Sequence, residues 1–155
     1  MAEKQIQTSI DIAASPQRVW RELTNFAKYR EWSQFILSIE GEPRAGAKLR
    51  VRLDDGGRPM TIKPELVTVR ENEELCWHGA LGTALLFGGQ HYFQLSSLPD
   101  GYTRFTHGER FRGALLPLVW RTIDTRTRAA FGRFNEALRM RAESTVMSAR
   151  PTHLP

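Results

Sequence analysis

GYTRFTHGERFRGALLPL, residues 101–118, joins a strand to a helix, and its two halves keep different periods. Between Arg104 and Phe111 the pattern alternates. Phe105, His107, Glu109 and Phe111 share one face, and Arg104, Thr106, Gly108 and Arg110 the other. From Leu116 the apolar residues follow helical spacing through Val119, Ile123, Phe131, Phe134 and Leu138, with Arg121, Arg128, Glu136 and Arg139 largely outside that stripe. Thirty residues of helix span about 45 Å, enough to lie across an entire sheet. The strand poses a problem. Its face with two phenylalanines should be the buried one, yet it carries a histidine and a glutamate, two of the side chains that cost most to bury. Either that face is not fully buried or the pair has a task there.

The preceding strand bears on this. In QHYFQL the inward candidates are His91, Phe93 and Leu95, and the turn PDG lies before Tyr102. Pairing Leu98 with Tyr102 around that three-residue turn sets Leu95 opposite Phe105, Phe93 opposite His107 and His91 opposite Glu109. A two-residue turn would break this parity. His91 and Glu109 are therefore expected to touch on the concave face, with His107 beside them.

Further back, the chain alternates turn signals with short strands. Ile6, Ile10 and Ile12 mark a first strand. SPQRVWRELTNF then changes to helical period, with Ser15 as N-cap, Pro16 in the first turn and Val19, Leu23 and Phe26 as one stripe. A second short helix is predicted over AKYREW. QFILSIE, KLRVRL, MTIKPELVTVR, LCWHG, QHYFQLSSL and YTRFTHGERF read as strands linked by short turns, hence an antiparallel meander with one wet face. The expectation is an α+β domain: seven antiparallel strands curved around the long C-terminal helix, with two short helices after the first strand.

Composition sets bounds. A chain of 155 residues is the size of one domain, and 41% hydrophobic with 25% charged residues describes an ordinary soluble protein. MAEKQIQTSI has no apolar run, so no export signal is expected. Cys76 is the single cysteine; it excludes an internal disulfide, fits a cytoplasmic location, and reads as a small strand residue rather than a nucleophile. The net charge of +5 comes from scattered residues without a run of four Lys/Arg, so nucleic acid is not an expected partner and membrane contact would be peripheral only.

The element order, together with SPQRVWRELTNFAKYREWSQFI and GYTRFTHGERFRGALLPL, resembles the START-like (SRPBCC) superfamily in its polyketide cyclase/dehydrase-like branch. The pieces that carry the likeness are the Ser-Pro-x-x-Val-Trp helix start, Tyr29-x-x-Trp32, and His107-Gly108-Glu109-x-Phe111. Relatives often have Tyr-Pro-x-Trp-Asn-Pro where this chain has Tyr29-Arg30-Glu31-Trp32-Ser33-Gln34. The resemblance implies a helix-grip fold over residues 1–143, with 144–155 as a frayed tail. It also implies a cavity between sheet and helix that holds a hydrophobic or amphipathic molecule. Members of this superfamily include lipid carriers, ring-closing enzymes and activators of chaperone ATPases, so fold alone does not choose among them.

A cavity would answer the puzzle of the strand, because a pocket wall carries a few polar groups among aromatics to orient a ligand. The candidate ligand-binding residues are Trp32, Phe35, Trp77, His91, Phe93, Phe105, His107, Glu109, Phe111, Val119, Ile123 and Phe131, with Trp120 as a further aromatic nearby. Glu109 and His107 are the acid/base candidates if the protein is a cyclase or dehydrase. The duller alternatives are core packing for each aromatic and a merely structural ion pair for His91 and Glu109. Two histidines and a carboxylate form a metal set only formally, without ligand spacing, so neither metal nor cofactor is expected. Glycines at 79, 82, 88 and 89 make residues 80–89 a candidate lid or an ordinary hairpin connection.

Overall fold

The structure, a computed structural model, describes residues 3–80 and 87–148. Strand β1 (Glu3–Ile12) leads into helix α1 (Pro16–Thr24) and a 3-10 helix (Phe26–Glu31), the latter standing where AKYREW is read as helical. Ser15 Oγ accepts the Arg18 N–H at 3.2 Å, and Val19, Leu23 and Phe26 turn inward and are buried. Ser15→Ala removes that acceptor and is expected to cost about 1 kcal/mol in urea unfolding. An unchanged midpoint would mean that the cap contributes nothing.

Eight strands stand among the described residues where seven are expected, because MTIKPELVTVR is two strands. β2 (Ile36–Glu40), β3 (Arg50–Leu53) and β4 (Met60–Ile62) form a three-stranded sheet. β5 (Glu65–Arg70), β6 (Glu74–Ala80), β7 (Gly88–Ser97) and β8 (Thr103–Arg112) form a second meander, and β1 completes it beside β8. The break falls at Pro64, which has no N–H to donate to a ladder. Its carbonyl still accepts from Leu49 N at 2.8 Å, and Leu66 N donates to Ala47 O at 2.9 Å. These bonds stitch the two sheets at an isolated bridge between Lys48 and Glu65, so the curved surface is continuous. β7 and β8 pair in the register set by the three-residue turn: Leu95 with Phe105, Phe93 with His107, His91 with Glu109.

Helix α2 (Leu116–Ser148) has 33 residues and runs about 50 Å at 1.5 Å per residue. It continues five residues beyond position 143, where the tail is expected to begin; residues 149–155 lie outside the described residues. Its two halves behave differently. Ala130, Phe131, Phe134, Asn135, Leu138 and Ala142 are fully or almost fully buried. Before them Val119 is 40% exposed and Ile123 half-buried. The helix packs against β1, β8 and α1 along its second half, and Leu116 at its start is again fully buried; between them it stands away from the sheet at Val119 and Ile123. Glu143 accepts the Ala13 N–H at 3.0 Å and Arg141 donates to Glu22 at 3.0 Å, tying the packed half to the residue just after β1 and to α1.

Candidate functional site

Where α2 stands off, a cavity of about 470 Å³ opens between helix and strands. On α2 and the residue before it, Leu115, Val119, Ile123 and Thr127 recur every fourth position and form its helical wall. Phe35, Leu53, Met60 and Ile62 close it from the β2–β4 side, and Trp77, Gly89, Glu109 and Phe111 from β6, β7 and β8. Met60, Leu115 and Val119 are each 40% or more exposed and mark the mouth. Ala80 and Phe87, on either side of residues 81–86, also line it. The candidate lid over 80–89 thus falls mainly outside the described residues.

Behind Glu109 runs a line of hydrogen bonds into the core. Glu109 Oε2 faces His91 Nδ1 at 3.4 Å, His91 Nε2 faces His107 Nε2 at 2.8 Å, and His107 Nδ1 faces Asn135 Oδ1 at 2.9 Å. Asn135 Nδ2 donates to Thr8 Oγ1 at 2.8 Å, and that hydroxyl donates to the His107 carbonyl at 3.1 Å. Two flat contacts hold the rings: His91 stacks on Trp77 with centroids 4.9 Å apart, and His107 on Phe131 at 3.8 Å. His107 is wholly buried. Desolvation first, and the neighbouring His91 second, hold its imidazole well below the usual histidine value, against the opposing effect of the Asn135 hydrogen bond.

The paradox of the inward face resolves in layers. Phe105 and His107 are fully buried, Phe111 is 5% exposed, and the Glu109 side chain keeps 20% of its surface. Polar groups on this strand therefore grade from core to cavity wall. Gly108, between them, is needed on the outer face: a Cβ there would lie 2.2 Å from the Tyr92 ring, whose hydroxyl is held by Gln5 and Gln7. Cys76 is also buried; desolvation, then the nearby Glu74, pushes its thiol up to about 11, so it stays protonated at neutral pH and is no nucleophile.

Of the residues singled out from sequence, Phe35, Trp77, Glu109, Phe111, Val119 and Ile123 stand on the cavity wall. His91, Phe93, Phe105, His107 and Phe131 are packed behind it in the core. Trp32 lies between Tyr29 and Phe134 at 4.8 and 5.1 Å, and Trp120 meets the edge of Phe111 at 5.9 Å. Sequence reasoning passed over Leu53, Met60 and Ile62 on β3 and β4, Leu115 and Thr127 on the helical wall, and Asn135. The first three share an alternation with ordinary core strands. Asn135 did leave a signal, an amide one position after Phe134 on an otherwise apolar stripe.

An antiparallel sheet curved over one long helix, with a cavity between them, is the helix-grip architecture of START-like proteins. The chain belongs to the family described as polyketide cyclase / dehydrase and lipid transport, which matches residues 3–143. A START superfamily protein from Mycobacterium smegmatis superposes with a TM-score of 0.74 at 16% identity, over 91% of this chain and 98% of that one. An aromatase/cyclase from a Streptomyces species gives 0.73 at 14% identity, covering 94% and 96%. Norcoclaurine synthase from Thalictrum flavum, a point mutant solved with a transition-state analogue, gives 0.71 at 14% identity, covering 94% and 97%. At such identities the likeness establishes fold alone. No match was found among curated proteins.

Proposed function

We propose that the protein binds a hydrophobic or amphipathic small molecule, lipid- or polyketide-like, in the cavity between α2 and the strands. The observation that carries this is the cavity itself. Its roughly 470 Å³ lies in the range of small-molecule sites, and its wall is aliphatic and aromatic apart from Glu109, Asp55 and Thr127. A domain that only regulates a partner protein does not need such a space, so the chaperone-activator reading is the weaker one. The buried single thiol and the absence of a helix long and apolar enough to cross a membrane among the described residues go with a cytoplasmic carrier in this proposal.

Nile red fluorescence tests the proposal. Ile123→Trp puts an indole into the cavity from a half-buried position on the exposed half of α2. It is expected to weaken dye binding at least about tenfold, the equivalent of ~1.4 kcal/mol, while far-UV circular dichroism stays native. Undiminished binding would mean that the dye sits elsewhere and the cavity is not the site.

The second reading, a cyclase- or dehydrase-type enzyme on an apolar carbonyl compound, is favoured by one observation: a carboxyl group on the wall backed by a histidine. In that reading Glu109 is the acid/base residue, while His107, wholly buried, acts through His91 instead of on the substrate.

A further inference from the structure

Proton positions along the buried line follow from its geometry. The Thr8 hydroxyl has one proton, donated to the His107 carbonyl, so its oxygen accepts from Asn135 Nδ2. That orients the Asn135 amide with Oδ1 toward His107 Nδ1, which must then be the protonated nitrogen. In a neutral His107 ring the other nitrogen, Nε2, is bare and accepts. His91 Nε2, 2.8 Å away, is consequently the donor. His91 Nδ1 and Glu109 Oε2 face each other at 3.4 Å, and a single proton has to lie between them. It belongs to the ring in an ion pair or to Oε2 in a neutral acid. A proton on Oε1 instead would leave two lone pairs opposed.

In both arrangements Glu109 Oε1 is bare. That oxygen lies over Gly89, only 2.5 Å from where a Cβ would stand, which a side chain at position 89 would contest. Among the described residues Oε1 has no hydrogen-bond donor, and both Glu109 and Gly89 face the cavity. The line thus ends in one acceptor aimed at an apolar space.

We propose that Asn135, acting through His107 and His91, is a positioning residue that holds Glu109 as a hydrogen-bond acceptor, so that the cavity selects uncharged apolar molecules bringing a hydroxyl to that point. The proposal rests on the cavity being the ligand site. It also orders three ligands of one size. A bare hydrocarbon leaves Oε1 without a donor. A hydroxyl supplies one. A carboxylate opposes two acceptors and is disfavoured.

The test is titration calorimetry with naphthalene, naphthol and naphthoate, joined to nitrogen NMR of the imidazole rings. Naphthol is expected to bind about tenfold more tightly than naphthalene, with naphthoate the weakest of the three. The His107 ring should be neutral with its proton on Nδ1, and His91 should carry one on Nε2. Asn135→Leu should reduce the naphthol preference to roughly twofold and leave naphthalene affinity unchanged. Asn135→Asp keeps an acceptor toward Nδ1 and should restore the preference. A purely structural amide would move all three affinities together. Equal binding of naphthol and naphthalene, preference for naphthoate, or His107 protonated on Nε2 would overturn the proposal while leaving the cavity reading intact. Failure of all three to bind would overturn both. If Asn135→Leu does not fold, the wild-type ranking and the ring protonation decide the matter alone.

Discussion

Phe134→Ala is expected to destabilise the protein by about 4 kcal/mol, within the range for truncating a core phenylalanine. Phe134 is fully buried near the middle of α2's packed half. Its ring meets Trp32 at 5.1 Å, His107 at 5.0 Å, Phe93 at 5.4 Å, Tyr29 at 6.1 Å and Phe105 at 6.3 Å. These partners come from the 3-10 helix and the residue that follows it, from β7 and from β8, and the strand residues are fixed by their ladders. The strand neighbours have little freedom to move into the vacated volume. Phe111→Ala is the informative comparison. Phe111 is also buried, yet it borders the cavity, so its loss widens an existing space instead of creating a closed one, and about half the cost is expected. Urea unfolding of the two variants measures this. Equal losses would show that the wall at Phe111 is as tightly packed as the core, which would count against the cavity.

That contrast also shows where sequence reasoning runs out. Alternation in QHYFQL and RFTHGERF, with PDG between them, was enough to derive the register that brings His91 to Glu109. Ser15, Pro16 and the stripe of α1 were equally legible, because caps and helical spacing are local signals. The split at Pro64 was legible in principle, since a proline inside a strand pattern argues for an edge or a break. The length of α2 past position 143 was not. Residues there have little apolar period, and burial of Ala142 together with the Glu143 and Arg141 contacts to the residue just after β1 and to α1 carries the helix on.

The site was only partly legible for a different reason. Phe93, Phe105, Phe111 and Trp77 all share the inward face, and nothing in strand alternation separates core from cavity wall. The separation is made by α2, which approaches the sheet at Phe131 and Phe134 and stands away at Val119 and Ile123. A long amphipathic stripe looks the same in both regimes until its exposure is known. The four-residue recurrence of Leu115, Val119, Ile123 and Thr127 is a helix face, and only its distance from the strands makes it a wall.

Acid is expected to act on His107 by way of stability. In the unfolded chain this imidazole has its ordinary value of 6.5, and in the fold it is held well below that by burial and by His91. Below pH 6.5 the unfolded state therefore binds one proton more than the folded state. The contribution to stability is complete above that value and is lost as pH falls from it toward the folded value. Between about pH 7.5 and about pH 5.5 the loss should be about 1.4 kcal/mol. The groups around His107 reinforce the effect. His91 from β7 presents a donor at 2.8 Å, so a proton added to His107 Nε2 would oppose two donors; Asn135 from α2 occupies Nδ1, and Glu109 lies one step further, behind His91. Urea unfolding across these pH values measures the loss, and His107→Gln, less stable at neutral pH for want of the ring, should be nearly flat over the same window. Wild-type stability that does not change would mean that His107 takes up its proton inside the fold, and that the line from Asn135 to Glu109 rearranges on acidification instead of resisting it.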